Sequence, residues 1–280
     1  MERYNISYPS RTVRNIHITG ISFAACKTGF QVVFDGVRIT LDAGLAFRSN
    51  TSLLLLTHMH GDHSSQLPII VTKNIGRGLN VLCPVSERDA IFNHLAGMFA
   101  LVRYPHPNVM GTFNLVGVDL ATREYTYSMG DKKIFIVPIE CFHAVPCLGY
   151  GISILRTKLK SEYHGLPPAR LQLLRQQCVD ITCSVMVPQL CFLGDTDYHV
   201  LANPILENYP VIMIECTYLG ISELDNARTN QHMHWVWLMP YIECHPEITF
   251  ILIHFSKRYT HQFITEFFAQ YLLPNIVVWI

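Results

Sequence analysis

Thr57-His58-Met59-His60-Gly61-Asp62-His63 follows directly on the fully apolar run Leu53-Leu54-Leu55-Leu56, and no other stretch constrains the chain as much. A short apolar run of this kind reads as a buried central strand, so the residues after it stand at its carboxyl end. Three imidazoles and one carboxylate therefore fall within six residues at one sheet edge. Gly61 permits the sharp path of a tight loop, with His58 and His60 facing one side and Asp62 and His63 the other. One turn can then serve two adjacent cations. Imidazole with carboxylate is the donor set that suits zinc, and it also accepts manganese, iron or cobalt.

The composition can supply the core that such a sheet needs. Half of the 280 residues are apolar and only 15% are charged, the reverse of a disordered chain. Lys and Arg number 21 and so do Asp and Glu, which excludes a global basic field for holding a polyanion. The nine cysteines are odd in number and scattered, and several lie in apolar runs such as Gln189-Leu190-Cys191-Phe192-Leu193. They read as buried free thiols in a reducing compartment rather than a disulfide framework. The first nineteen residues hold no signal-like apolar stretch, and nowhere do eighteen apolar residues run together. No membrane partner is expected, and the cytoplasm is the compartment by default.

Short β-type runs at 16–21, 30–34 and 38–42 alternate with Gly20, Gly29, Gly36 and Gly44, the rhythm of an antiparallel sheet. Apolar spacing predicts a helix over 87–101, strands at 134–139 and 149–155 on either side of His143, and a proline-initiated helix after Pro167-Pro168. Later strands at 191–194, 211–216 and 248–255 alternate with helices over 232–243 and 261–272. No linker or low-complexity tract divides the chain, so residues 1–280 are expected to form one α/β domain of sheets covered by helices.

The run from Thr57 to His63 resembles the signature of the metallo-β-lactamase superfamily. That resemblance implies a four-layer αβ/βα sandwich, two mixed sheets flanked by helices, with one or two metals at their edge. Glu140-Cys141-Phe142-His143, Phe192-Leu193-Gly194-Asp195-Thr196 and Ile253-His254-Phe255-Ser256-Lys257-Arg258-Tyr259 follow in the order the superfamily uses. Those last two segments, with Ile214-Glu215-Cys216-Thr217-Tyr218 and Gln231-His232-Met233-His234, are similar to ribonuclease Z, the zinc endonuclease that removes the 3′ trailer of precursor tRNA. The likeness spans about residues 20–259 and is nearest to the short form.

Carried over, the resemblance implies one Zn2+ on His58, His60 and His143 and another on Asp62, His63 and His254, with Asp195 bridging. Attack by a metal-activated hydroxide would leave a tRNA 3′-OH and a trailer 5′-phosphate. His232 backed by Glu215 would supply the proton to the leaving oxygen, with Asp62 also in the catalytic set. Precursor tRNA is the implied partner and a homodimer the implied assembly. Another hydrolase of the same fold, acting on small molecules or cyclic nucleotides, is the alternative.

Each residue also has a plainer role open to it. Asp195 could cap a turn, and Glu215 could be held by a backbone amide instead of His232. Ser256 and Arg258 are candidates for substrate phosphate, yet an arginine fork suits a neighbouring carboxylate equally well. Asp42 is expected to orient the metal loop from behind, and His234 to be structural. Two departures stand out: Gln66 replaces the glycine usual after the metal loop, and no long tRNA-gripping arm lies between His143 and Asp195, where only Gly165-Leu166-Pro167-Pro168 and a few basic residues occur.

Overall fold

The computed structural model describes residues 8–102 and 109–280. Within them the early alternation becomes an antiparallel meander of β1 (Ser10–Val13), β2 (Ile16–Ala24), β3 (Lys27–Phe34) and β4 (Val37–Leu41). Ile16 and Ile18 are buried and His17 between them is exposed, the period of two that a half-buried strand requires. The pairing then turns parallel through β5 (Leu53–Leu55), β6 (Leu79–Pro84) and β7 (Phe113–Val118). Leu53 to Leu56 are fully buried, as a central strand covered on both faces must be.

Three helices follow from this half of the chain: α1 (Gly61–Ser64), α2 (Leu67–Lys73) and α3 (Arg88–Leu101). Leu67, Ile70, Ile91, Leu95 and Phe99 of α2 and α3 pack on Leu54 and Val81, forming the outer layer on the first sheet. Gln66, the departure noted above, sits at φ −97 before α2, an ordinary region that needs no glycine, and donates its N–H to the Ala43 carbonyl. It lies outside the lining of the metal cleft described below.

The second sheet contains β8 (Tyr125–Met129), β9 (Lys132–Cys141), β10 (Cys147–Leu159), β11 (Thr182–Phe192), β12 (Val211–Glu215) and β13 (Thr249–Ile253). After β13 come β14 (Phe255–Ser256), which crosses to pair with β2, and β15 (Ile276–Val278), which completes the second sheet beside β13. β8 to β11 are antiparallel and β11, β12, β13 and β15 parallel, so the shift from hairpins to crossovers that the sequence suggested is present.

The helices of this half are α4 (Pro168–Gln176), α5 (Leu224–Asn230), α6 (Trp235–Cys244) and α7 (His261–Ala269). α6 and α7 supply the other outer layer, where Trp235, Leu238, Ile242, Ile264 and Phe268 pack on Ile212 and Leu252. Between the sheets, Phe30, Val32 and Ile39 meet Tyr150, Ile152, Phe192 and Met213. The result is helices, sheet, sheet, helices: the four-layer architecture expected from the sequence.

Three local expectations need correction. The helix over 232–243 begins only at Trp235, because Gln231 adopts φ +52 and ends α5, leaving His232 in a loop. The last helix stops at Ala269, short of Leu272. β11 begins at Thr182, well before 191: its outer part, Thr182 to Val187, is exposed or half-buried and lies in a long ribbon with β10, and Pro188 falls at a register shift opposite Ser153 where a missing N–H is tolerated. That ribbon is topped by α4, the proline-initiated helix expected after Pro167-Pro168, which buries no residue.

The described cysteines are free, and Cys83, Cys141, Cys147, Cys191 and Cys216 are buried as anticipated. Cys26, Cys178, Cys183 and Cys244 are exposed instead. No helix among the described residues is long and apolar enough to cross a membrane.

Candidate metal centre

The carboxyl ends of the central strands of both sheets meet along one edge, and the chain is bent there by specific local bonds. Beyond β4, Asp42 takes φ +56 and its Oδ1 accepts the Thr57 N–H (2.8 Å) and the Thr57 hydroxyl (2.9 Å), pinning the metal loop to the neighbouring strand end. Gly44 passes directly beneath α1: a Cβ there would stand 1.8 Å from the Asp62 carbonyl oxygen and 2.4 Å from that of Thr28, so no side chain fits. The Asp62 carboxylate in turn accepts the Ala25 N–H at 2.9 Å from the β2–β3 turn.

His58, His60, His143 and Asp195 gather in one group, and Asp62, His63 and His254 in another. In the first, His60 Nδ1 lies 3.1 Å from His58 Nε2 and 3.2 Å from His143 Nε2. In the second, His254 Nε2 is 3.2 Å from His63 Nε2 and 3.4 Å from Asp62 Oδ2. Asp195 faces both: Oδ1 is 3.3 Å from His63 Nε2 and 3.5 Å from His254 Nε2, while Oδ2 is 3.7 Å from His58 Nε2. All seven residues singled out in the sequence as ligands are thus brought together.

The outer faces of the imidazoles fix which nitrogen points inward. The Thr57 hydroxyl donates to Asp42, so its oxygen is left to accept from His58 Nδ1 at 3.0 Å. His63 Nδ1 donates to Asp42 Oδ2 at 2.7 Å and His143 Nδ1 to the Gln231 carbonyl at 3.1 Å. The Thr217 hydroxyl donates to Glu215 and accepts from His254 Nδ1 at 3.0 Å. With each Nδ1–H committed outward, the Nε2 lone pairs of four rings converge, an arrangement that a cation satisfies and that would otherwise be repulsive. The donor set therefore fits divalent metal.

Electrostatics agree with that fit. Burial, with His63 adding to it, pushes the His58 imidazole well below the usual range, so it presents a neutral lone pair. Burial likewise lowers His143. Burial opposes ionisation of Asp195, but His254 and His63 outweigh it and hold the carboxyl well down. For Asp62 burial is again outweighed by His254 and His63, leaving it at about 2. His63 goes the other way: against burial, Asp195 and Asp42 push it well up, so a cation at its Nε2 competes with a proton. His254 occupies φ +61, a left-handed backbone that costs on the order of 1–3 kcal/mol for a residue with a Cβ and that clusters at functional sites.

His232 and Glu215 complete the site. Glu215 Oε1 accepts the Thr196 N–H (2.7 Å) and His232 Nδ1–H (2.8 Å), and the Thr217 hydroxyl takes the other oxygen. Both partners left open by the sequence, His232 and a backbone amide, are therefore present. Three hydrogen bonds thus hold Glu215, which also falls within reach of Asp195, His232 and His254 as a third group of possible ligands. Against the burial of the ring, Glu215 pushes His232 up to about 9. His234 is buried, accepts the Val236 N–H and donates to the Gly220 carbonyl, the structural role expected of it.

A cleft of about 570 Å3 opens over the second group, with Lys257, Arg258, Ser256 and His232 in its wall. Arg258 donates to Glu223 at 2.7 Å and lies 5.6 Å from the centre of the Tyr218 ring, yet its side chain remains 53% exposed. Ser256 is buried and its N–H donates to the Thr217 carbonyl. Thr57, Thr217 and the Gln231 carbonyl were not anticipated from the sequence. Thr217 had a usable signal, standing beside Glu215 at a strand end. His106 lies outside the described residues.

Comparison with known proteins extends this picture. No family model matches the chain. It is similar to tRNase Z TRZ1 of Arabidopsis thaliana, 28% identical over 255 residues that cover 87% of this chain and 86% of the relative. Among solved structures, the short form of human tRNase Z superposes with a TM-score of 0.53 at 15% identity, covering 86% of this chain and 93% of that one. The metallo-β-lactamase fold protein YhfI of Bacillus subtilis superposes at 0.58 and 14% identity, covering 94% and 95%.

Proposed function

We propose that this chain, a ribonuclease Z-like protein of the metallo-β-lactamase fold, is a zinc-dependent endoribonuclease that removes the 3′ trailer of precursor tRNA. His232 carries the proposal: a protonated imidazole backed by Glu215, 4.0 Å from Asp195 and open to the cleft, provides a proton donor beside the ligand cluster. Expulsion of a ribose 3′ oxygen needs such a donor.

His58, His60 and His143 would hold one Zn2+ and Asp62, His63 and His254 the other, with Asp195 between them. When bound, the cations activate a water near neutral pH and offset phosphodiester charge; manganese or another divalent ion can do the same chemistry. Asp42, Thr57 and Thr217 keep the imidazoles turned inward. Lys257, Arg258 and Ser256 line the wall where a substrate phosphate would lie, and phosphate contacts of this kind position RNA without reading its sequence. His232 then delivers its Nε2 proton to the departing 3′ oxygen, giving tRNA with a 3′-OH and a trailer with a 5′-phosphate.

The basic residues at the cleft favour RNA over the small-molecule or cyclic-nucleotide substrates of other hydrolases with this fold. The functional unit is taken to be a homodimer. Incubation of the zinc-loaded protein with several precursor tRNAs, followed by end mapping, tests the proposal: a single cut after the discriminator with those two end groups is expected. Hydrolysis of bis-(p-nitrophenyl) phosphate with every precursor left intact would refute the substrate and leave the metal chemistry standing.

A further inference from the structure

A stripe of aromatic rings begins beside His143, a member of the first ligand group. Phe142 precedes the ligand His143, and its ring lies 5.5 Å from that of His199. His199 is stacked on Tyr198 at 4.2 Å, Tyr198 lies 4.8 Å from Trp237, and the Arg228 guanidinium stands 5.6 Å over Trp237. The segments are locked together at their bases: Phe142 donates its N–H to Thr196 Oγ1 and accepts the Asp197 N–H on its carbonyl. Asp197 also accepts from His199 Nδ1 at 2.8 Å, which fixes the plane of that ring.

Phe142 and Trp237 rest with one side on the core beneath them, and the rings between them stand out from it. Here Tyr198 is 40% exposed and the His199 side chain 54%, and Trp237 and Phe142 are only partly covered. Arg228 shares its charge with Asp225 at 3.2 Å and still presents a cation at the far end. Exposed aromatic faces ending in a guanidinium suit unpaired bases on a phosphate chain, because every base has a face to stack and the cation meets the backbone.

We infer that Phe142, His199, Tyr198, Trp237 and Arg228 form a stacking track for the single-stranded 3′ trailer. This rests on the metal centre being the trailer nuclease proposed above. A duplex stem keeps its bases paired and cannot use the track, whereas trailer bases are free. Stacking is tolerant of sequence, so the track grips trailers of any composition and adds nothing to the choice of cleavage position.

The test compares Tyr198→Ala, His199→Ala and Tyr198→Phe on precursor tRNAs with a long unpaired trailer and with a trailer of a single nucleotide. In each alanine variant the ratio of kcat/KM, long over short, should fall about tenfold through KM, the loss of about one stacked base. Tyr198→Phe, which keeps the ring, should preserve the ratio. An unchanged ratio in both alanine variants overturns the track. So does an equal loss on both substrates and on bis-(p-nitrophenyl) phosphate, which would mean damage at the metal centre. Binding of a 2′-O-methyl single-stranded oligonucleotide, against the same sequence as a duplex, separates this from the nuclease assignment. If wild-type protein cleaves no precursor, weaker single-strand binding by the alanine variants still supports the track, and equal binding overturns it.

Discussion

His232 Nδ1 and Glu215 Oε1 lie 2.8 Å apart at the edge of the ligand cluster, and the same carboxylate reaches His254 through the Thr217 hydroxyl. One buried anion therefore orients both His232, the proposed proton donor, and His254, a proposed metal ligand, and substitutions can separate these effects. Glu215→Gln keeps the shape but removes the charge that raises His232, so the basic limb of kcat should shift to lower pH. His232→Ala should lower kcat by about 10²–10⁴-fold with metal content retained. A pH profile unmoved by Glu215→Gln would break the link between the two residues.

The same pair has a stability signature. The folded His232 is raised to about 9 against an unfolded value near 6.5. Its contribution is thus fully present below about pH 6.5 and fades as pH rises through about 9. Denaturant midpoints of wild type and His232→Gln should converge over that interval; a constant gap across it would contradict the assignment.

Asp42 bonds to Thr57 and His63 at once, so Asp42→Ala should loosen two ligand imidazoles. Metal affinity should drop by about 10–100-fold, as measured by competition with a chromogenic chelator. Retained affinity would mean that packing alone holds the loop.

Chelation should abolish phosphodiester hydrolysis, with Zn2+ or Mn2+ restoring it. Because the cation binds only the assembled site, free metal at about 100 times its Kd should add about 2.7 kcal/mol to unfolding stability. Calorimetry with and without chelator reads this directly, and identical transitions would refute a resident metal.

Arg258→Ala should raise KM for precursor tRNA by about tenfold, a phosphate contact being lost. If Arg258 serves only Glu223, the variant will instead lower Tm and leave KM in place.

The seven clustered residues were legible in sequence because the first four are packed into one turn and each of the others closes a strand. What escaped was non-local or carried no side-chain mark. The Gln231 carbonyl that holds His143 is backbone, and the left-handed turn at Gln231 that releases His232 from a helix is masked by helix-like apolar spacing from Met233 onward. The outer half of β11 stands in an exposed ribbon, where Val185-Met186-Val187 follow Cys183-Ser184 without apolar–polar alternation, so periodicity gave no strand signal. The aromatic stripe joins three distant segments, and none of them is distinctive alone.

His63 and His254 face each other across 191 positions of chain. The second half of the centre therefore cannot exist until synthesis has passed β13 and the parallel strands have docked. A nascent or truncated polypeptide that stops before β13 carries the whole His58-to-His63 loop and still lacks the imidazole that closes the second group.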